Sequence, residues 1–246
     1  MSVYVAITLG LAWFRLSFGF FGPLVGVIIA TVFTIAVWER GRWSLGLAAA
    51  PLVALRETLS GVFMGTVLVG AAAVLVILST DVYHQPGRGF PWGELMLVFL
   101  PAVLHEELLF RGYPFQKLFR WHRLFAILFV AVLFAGLHAR NPGVTPLGLA
   151  NIVLGGVLLG LAYARHERLW LPIGLHLAWN LMSGPIIGHE VSGYESAQTV
   201  FVELGSGPEW LTGGEFGIEG SAWMTLVELA GIGWLARYEY DRRAGR

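Results

Sequence analysis

The stretch GELMLVFLPAVLHEELLFRGYPF, residues 93–115, carries charged side chains at the end of an otherwise apolar segment. Apart from Glu94 at its start, the charged groups of this stretch are the carboxylates of Glu106 and Glu107 and the guanidinium of Arg111. Ionisable groups are costly within a hydrocarbon layer, so they persist mainly where they face a protein interior or a wet cavity and have a function there. We therefore predict that this segment is a membrane helix that carries part of a functional site.

Composition places the whole chain in the membrane class. Of its 246 residues, 56% are hydrophobic and 13% are charged, and the mean hydropathy is +0.68, whereas a soluble domain carries about a quarter charged residues. The net charge is zero and no long basic tract is present, so nucleic-acid binding is not indicated. The absence of cysteine excludes disulfides, thiolate catalysis and cysteine-ligated zinc.

Seven long apolar runs predict an all-α fold, a polytopic bundle of seven to eight transmembrane helices in one integral-membrane domain over residues 1–246. A helix needs about 20 residues to span a bilayer. The runs cover residues 17–38, 59–80, 93–110, 124–138, 147–164, 169–188 and 221–238. The apolar stretch before Arg15 is short and FFGP (20–23) interrupts it, so it is either an interfacial helix or an extra span. The chain begins without a charged segment or a small-residue cleavage signal, so we expect no removed signal peptide.

The loop charges predict the orientation of the bundle. Four basic groups fall on one side when the spans are followed in order: Arg40, Arg42 and Arg56; Lys117, Arg120 and Arg123; Arg165 and Arg168; and Arg237, Arg242, Arg243 and Arg246. The positive-inside rule makes that side cytoplasmic. The longest loop, residues 188–220, has six Glu and no Lys or Arg and falls on the opposite side. We expect a multi-pass protein of the plasma membrane with a cytoplasmic C-terminus, and the side of the N-terminus stays open.

The two glutamates of the quoted stretch have different expected roles. Glu107 and Arg111 are four residues apart on a helix and can form an ion pair. That pair would keep Glu107 ionised and leave Glu106, on another face, free to act as a general base. The alternative is a pair at the helix end that anchors the span at the lipid headgroups. His105 opens a sequence like the HExxH zinc-protease motif, but Leu109 occupies the second ligand position, so that class of protease is excluded.

Two further clusters place histidines on apolar segments. FAGLH (134–138) ends with His138, which as a lone histidine near a helix C-terminus is more often a structural cap than a catalyst. LPIGLHLAWNLMSG (171–184) contains His176 and Asn180, four residues apart on one helix face. They offer a base or metal ligand and a neutral amide; the alternative is hydrogen bonding between helices.

Glycine pairs predict close helix packing. Gly61 with Gly65, and Gly156 with Gly160, are spaced so that two small residues lie on one helix face. Such pairs let neighbouring membrane helices approach closely. We expect packing, not ligand binding, at both pairs.

The three polar clusters, Glu-Glu-x-x-x-Arg, Phe-x-x-x-His and His-x-x-x-Asn, follow one another on three predicted spans. This ordered set resembles the CPBP family of intramembrane proteases, in its bacterial branch, which also includes the eukaryotic CaaX prenyl endopeptidase. The resemblance covers a catalytic core of about residues 93–190, including the glycine-rich segment LGGVLLGLAYARHERLWLPIGLH (154–176). GHEVSGYES (188–196) and LTGGEFGIEGS (211–221) are also similar to the bacterial branch.

The resemblance implies a hydrolytic mechanism and a set of roles. Glu106 activates a water molecule with help from His138, and His176 and Asn180 stabilise the oxyanion. Glu107 and Arg111 support these groups, since a guanidinium cannot act as the base. A metal is an open alternative, because His138, His176 and Glu106 would make a known two-histidine, one-carboxylate zinc set. The sequence does not decide between the two, and we favour metal-independent chemistry.

One feature of the predicted spans works against this site. Glu106 lies near the cytoplasmic end of its span, whereas His138 lies at the far end of the next, about 21 Å from Leu124 at 1.5 Å per residue. The two meet if the third helix continues past Arg111 inside the protein, or if a deep wet cavity joins them. We predict both in part, so the segment from Arg111 to Phe119 should be more buried than its polarity suggests.

The favoured hypothesis is an intramembrane endopeptidase acting on membrane-associated or lipid-modified proteins. A non-proteolytic scaffold, immunity or regulatory protein that keeps the protease fold is the alternative. Transport is disfavoured because the chain shows no matching broken helices in two inverted halves. The expected partners are the protein or peptide substrate and the lipid bilayer. The remaining histidines, His84, His122, His166 and His189, fall in or near loops and are assigned no role.

Overall fold

The computed structural model describes residues 19–40 and 45–243, and most of them are helical. The main helices are α1 (Phe21–Val37), α2 (Pro51–Ser79), α3 (Leu100–Phe110), α4 (Tyr113–Trp121), α5 (Arg123–His138), α6 (Pro146–His166), α7 (Trp170–Leu181) and α8 (Ala222–Arg243). A helical turn (Trp92–Glu94) and a π-helix (Leu95–Phe99) lead directly into α3, and a second π-helix (Met182–Ile187) follows α7. The short helices Glu209–Thr212, Gly214–Phe216 and Ile218–Gly220 precede α8.

Every predicted apolar run contains a helix, but the number of membrane spans is not confirmed. Among the described residues, only α2 and α6 have both the length and the apolar composition to cross a membrane, and α1 and α5 are apolar but shorter. The runs 93–110 and 169–188 are divided by the π-helices. Pro101 and Pro185 lie at these places and lack the amide proton of a regular helix, which favours a local change of hydrogen-bond register.

The N-terminal part of the structure consists of α1 and the turn before it. The segment before Arg15 lies outside the described residues. Whether FFGP interrupts a helix that precedes it also lies outside the described residues; α1 begins at Phe21, within FFGP, and holds Pro23 in its first turn. Proline is compatible with that position, since the first amide groups of a helix have no partner within it.

Large apolar side chains cover the outside of the bundle. Phe63 and Leu78 on α2 are 71% and 76% exposed, and Leu137 on α5 is 61% exposed. Contiguous apolar surface of this kind is typical of a protein that contacts lipid or another apolar partner. The faces of these helices therefore agree with a membrane protein.

Glycines allow two of the helices that carry polar clusters, α5 and α7, to pack closely against their neighbours α6 and α2. A Cβ atom on Gly61 would lie 2.2 Å from the Leu171 carbonyl oxygen, and one on Gly174 would lie 2.1 Å from that of Thr58. A Cβ on Gly156 would lie 2.8 Å from the Ala131 Cα atom. The predicted close packing is confirmed: α7 lies against α2, and α6 lies against α5.

Ion pairs gather the predicted cytoplasmic loops at one end of the bundle. They join Lys117 with Glu39 (2.8 Å), Arg123 with Glu167, and Arg168 with Glu57. The hydrogen bond that Glu57 accepts from Arg168 raises the pKa of this arginine above its ordinary value. The Arg165 guanidinium lies 3.9 Å from the Tyr238 ring centre, which brings α8 to the same end.

A two-stranded sheet closes the opposite end and was not predicted. Strand β1 (Tyr83–Pro86) pairs antiparallel with β2 (Phe201–Leu204), and His84 is opposite Glu203. Four-residue strands are too short to show a reliable alternating pattern. The sheet attaches the acidic loop to the end of α2, so this loop is folded and does not extend freely from the bundle.

Candidate active site

The chain turns sharply at the end of α3. The expected continuation of the third helix past Arg111 is wrong: α3 ends at Phe110 and α4 starts at Tyr113. A Cβ on Gly112 would lie 2.0 Å from the Leu108 carbonyl oxygen, so the turn requires glycine here. The predicted burial of this segment is confirmed, because Arg111, Phe115 and Phe119 are buried. The end of α3 is thus enclosed by protein.

Glu107 and Arg111 form the predicted ion pair. Arg111 Nη1 donates to Glu107 Oε1 at 3.1 Å, and both side chains are 0% exposed. Arg111 Nη2 donates to the Gly156 carbonyl oxygen at 3.2 Å, and the guanidinium carbon lies 4.7 Å from the Phe134 ring centre. Groups so completely buried cannot anchor the span at lipid headgroups, so that alternative is wrong.

His176 lies between the two glutamates. Its Nδ1 atom is 2.8 Å from Glu107 Oε1, and its Nε2 atom is 3.7 Å from Glu106 Oε2. An ionised carboxylate only accepts hydrogen bonds, so Nδ1 carries a proton and Nε2 faces Glu106. Glu106 keeps 22% of its side chain exposed, unlike Glu107. The first and third clusters therefore meet, with one buried and one accessible carboxylate.

His138 reaches the same region through Phe134. Its Nδ1 atom lies 2.8 Å from the Phe134 carbonyl oxygen, a contact that fixes the imidazole and leaves Nε2 unconstrained. The Phe134 ring centre is 4.6 Å from that of His138 and 6.0 Å from that of His176. The centres of the two imidazole rings are therefore no further apart than the sum of these two distances, which places both rings in one region. The helix-end contact expected of a capping histidine is present, and it also orients the ring.

Asn180 lies one turn beyond His176 on α7 and is half-buried. The adjacent Trp179 donates through Nε1 to Glu219 Oε1 at 2.9 Å. Glu219 also accepts from the Ser192 hydroxyl, and its backbone carbonyl accepts from Asn151. These contacts hold the Asn180 end of α7 against the acidic loop.

Glu219 and its partners belong to none of the three polar clusters predicted from the sequence. The available signal was the segment LTGGEFGIEGS, in which Glu219 lies among glycines before an apolar helix. A buried glutamate in such a segment needs hydrogen-bond donors. The donors come from Trp179 and Ser192, which no local spacing connects to it.

The residues proposed for zinc do not fit that ion in this conformation. In the described part of the chain, a group of three potential metal ligands has its ligand atoms within 4.8 Å of one another. This group is His84, His189 and Glu203. The set His138, His176 and Glu106 does not converge in this way. The geometry of these three residues therefore gives no support to a zinc-bound water.

Comparison with known proteins agrees with the motifs. Residues 88–182 match the family described as type II CAAX prenyl endopeptidase Rce1-like. An uncharacterized 24.3 kDa protein of Escherichia coli is 33% identical over 121 residues, which are 47% of this chain and 55% of that protein. The UPF0177 protein YvdC of Lactococcus lactis is 28% identical over 126 residues, 48% of this chain and 46% of that protein.

The chain thus spans about half the length of the curated relatives it matches. No solved structure matches it. The matched region contains all three polar clusters. The resemblance drawn from those clusters is confirmed for that region.

Proposed function

We propose, from the premise that residues 88–182 belong to the Rce1-like family, that this chain is an intramembrane endopeptidase. Its substrates would be membrane-associated or lipid-modified proteins. The observation that carries the proposal is the position of His176, 2.8 Å from the buried Glu107 and 3.7 Å from the accessible Glu106. A fixed imidazole beside an accessible carboxylate is suited to hydrolysis by an activated water.

Glu106 is the proposed general base. Its carboxylate takes a proton from a water molecule, and the water oxygen attacks the carbonyl carbon of the scissile peptide bond. His138 assists by accepting a hydrogen bond from this water through Nε2. When the carbon–nitrogen bond breaks, the proton passes from Glu106 to the leaving amine. The partial exposure of Glu106 supports this role, because the base must be reached by water.

His176 and Asn180 are the proposed oxyanion stabilisers. If His176 is protonated, its positive charge and that of Arg111 balance the negative charges of Glu106 and Glu107. The imidazolium then donates through Nε2 to the developing oxyanion, and the Asn180 amide supplies a second donor. Donors held in place before the reaction stabilise the transition state without reorganisation. Glu107 and Arg111 act by positioning His176.

The proposed location is the plasma membrane, with the end formed by the basic loops and the C-terminus in the cytoplasm. The ion pairs that gather Lys117, Arg123 and Arg168 at one end support this orientation. The acidic loop would then lie outside the cytoplasm.

The test compares protein N-termini in membranes from cells that make the wild type, Glu106→Gln or Glu209→Gln at equal abundance. Glu209 is an exposed carboxylate of the acidic loop and serves as the matched control. We expect N-termini that are present with the wild type and Glu209→Gln but lost with Glu106→Gln. These N-termini would also identify the substrate.

Identical sets of protein N-termini in membranes from all three kinds of cell would contradict the peptidase hypothesis. If the same proteins also co-purified with the wild type and Glu106→Gln, the scaffold hypothesis would take its place. Glutamine has nearly the same shape as glutamate. A loss of cleavage in Glu106→Gln would therefore result from the loss of the carboxylate and not from a cavity left by a smaller side chain.

A further inference from the structure

We propose that His84, His189 and Glu203 bind a zinc ion at the end of the bundle opposite the basic loops. This site is separate from the cluster around Glu106 and does not depend on the peptidase function. The ion would join the strand after α2, the start of the acidic loop and strand β2.

The three side chains already face one another. His189 Nδ1 lies 2.6 Å from Glu203 Oε2, and His84 Nε2 lies 3.9 Å from the same oxygen. The two imidazole rings have centres 5.9 Å apart. All three ligand atoms lie within 4.8 Å of one another. With zinc–nitrogen distances of about 2.0–2.1 Å, ligands of a tetrahedral site are roughly 3.3 Å apart, so small side-chain movements complete the set.

Each of the three residues has a buried polar atom without a hydrogen-bond partner among the described residues. These atoms are His84 Nε2, His189 Nε2 and Glu203 Oε2; the last is 2.6 Å from His189 Nδ1, but the two atoms are not in hydrogen-bonding geometry. His189 is 4% exposed, so water does not reach its ring freely. Buried polar atoms in native proteins are nearly always satisfied by protein, water or an ion. A single cation held by one atom of each residue would supply a partner to all three side chains.

The surroundings attract cations. The loop 188–220 has six Glu and no Lys or Arg. Beside the cluster lies a cavity of about 340 Å³, and its lining includes Glu190, Glu203, Glu209 and Glu215. Acidic clefts concentrate cations by focusing the electrostatic field. Glu203 belongs both to this cavity and to the cluster, so the acidic cavity borders the proposed site.

The donor types select zinc over the common alkaline-earth cations. Two imidazole nitrogens and one carboxylate oxygen are a known zinc set, with water in the fourth position. Calcium and magnesium instead prefer oxygen ligands.

The ion would add one further link between three segments that meet at the sheet. A two-stranded sheet is marginal by itself in water, and here each strand has four residues. The His189 amide also donates to the Ser183 carbonyl oxygen at 3.0 Å, directly after the second π-helix. Zinc would therefore attach the acidic loop to the end of the α7 segment and to β1 together.

The test uses the full chain, purified in detergent micelles, stripped with a chelator and titrated with zinc. We expect one equivalent bound by the wild type, by the Glu106→Gln/His138→Gln double variant, and by Glu195→Gln. Glu195→Gln removes one exposed negative charge from the same loop and is the matched control. The His84→Gln/His189→Gln double variant should bind zinc at least tenfold more weakly while eluting as the same monodisperse species.

Weak zinc binding by the His84→Gln/His189→Gln variant could also result from misfolding. A second measurement therefore uses a protein in which all three proposed ligands are present. Zinc-edge X-ray absorption of the loaded Glu106→Gln/His138→Gln variant should show two imidazole ligands. Fewer than two imidazoles would overturn the proposal. So would a failure of the wild type to bind zinc, or a loss of binding in the Glu106→Gln/His138→Gln variant.

Discussion

Two regions of the molecule hold a histidine against a carboxylate, and they differ in how the charge is balanced. In the core cluster (Glu106, Glu107, Arg111 and His176), His176 Nδ1 is 2.8 Å from a glutamate that also pairs with Arg111. In the cap cluster (His84, His189 and Glu203), the corresponding distance is 2.6 Å. The acidic loop that supplies two of the three cap residues has no Lys or Arg.

The difference shows why similar contacts have different meanings. The core cluster also has unpartnered atoms, Glu107 Oε2 and Arg111 Nε, but other atoms of the same groups are hydrogen-bonded. Its charges can balance without any added ion. The cap cluster lacks such an internal cation, which is the physical reason for assigning zinc there and not at the core.

The largest expected effect tests the internal balance of the core cluster. Arg111→Met should lower the free energy of unfolding by roughly 3–5 kcal/mol, because it leaves the buried Glu107 carboxylate without its cation. Chemical unfolding in micelles measures this change. The double variant Glu107→Gln/Arg111→Met should recover much of the loss, and a double variant as unstable as the single one would refute the charge argument.

The next effect concerns catalysis in the core cluster. Asn180→Ala should reduce turnover of a substrate found in membranes by roughly 10²–10³-fold, as expected for loss of one oxyanion donor. Because the amide is proposed to act on the transition state, kcat should fall and KM should change little. A change in KM alone would show that Asn180 binds substrate without stabilising the oxyanion.

A smaller effect is expected when zinc is added to the cap cluster. At a zinc concentration 100 times the Kd, the wild type should gain about 2.7 kcal/mol of stability. Thermal unfolding with and without the ion measures the gain, and limited proteolysis shows whether the acidic loop is protected. Equal stabilisation of His84→Gln would mean that zinc acts elsewhere, and the contrast between the two clusters would disappear.

The smallest effect is expected at the exposed basic end. Glu167→Gln removes the ion pair with Arg123, whose side chains are 43% and 35% exposed. Exposed pairs contribute about 0.2–1 kcal/mol and are weakened by salt. The free energy of unfolding, measured at low and at high ionic strength, should be lower in Glu167→Gln than in the wild type only at low ionic strength. If Glu167→Gln lowered the stability as much as Arg111→Met, the exposed and the buried ion pair would contribute equally, and exposure would not distinguish them.

The sequence alone predicted those features that depend on local spacing. Glu107 and Arg111 are one helical turn apart, so any helix through them brings them together. Gly61 and Gly65 likewise share one face whatever lies opposite. The order of the three polar clusters was also enough to predict the family whose model residues 88–182 match.

Only the tertiary structure decided which distant groups meet. The contact of Phe134 with the His176 ring and the pairing of His84 with Glu203 join separate segments of the chain. Such contacts depend on the summed packing of several elements, and no periodic pattern in one segment encodes them. For the same reason, His84 and His189 could be assigned no role from the sequence, although the fold brings them to one site.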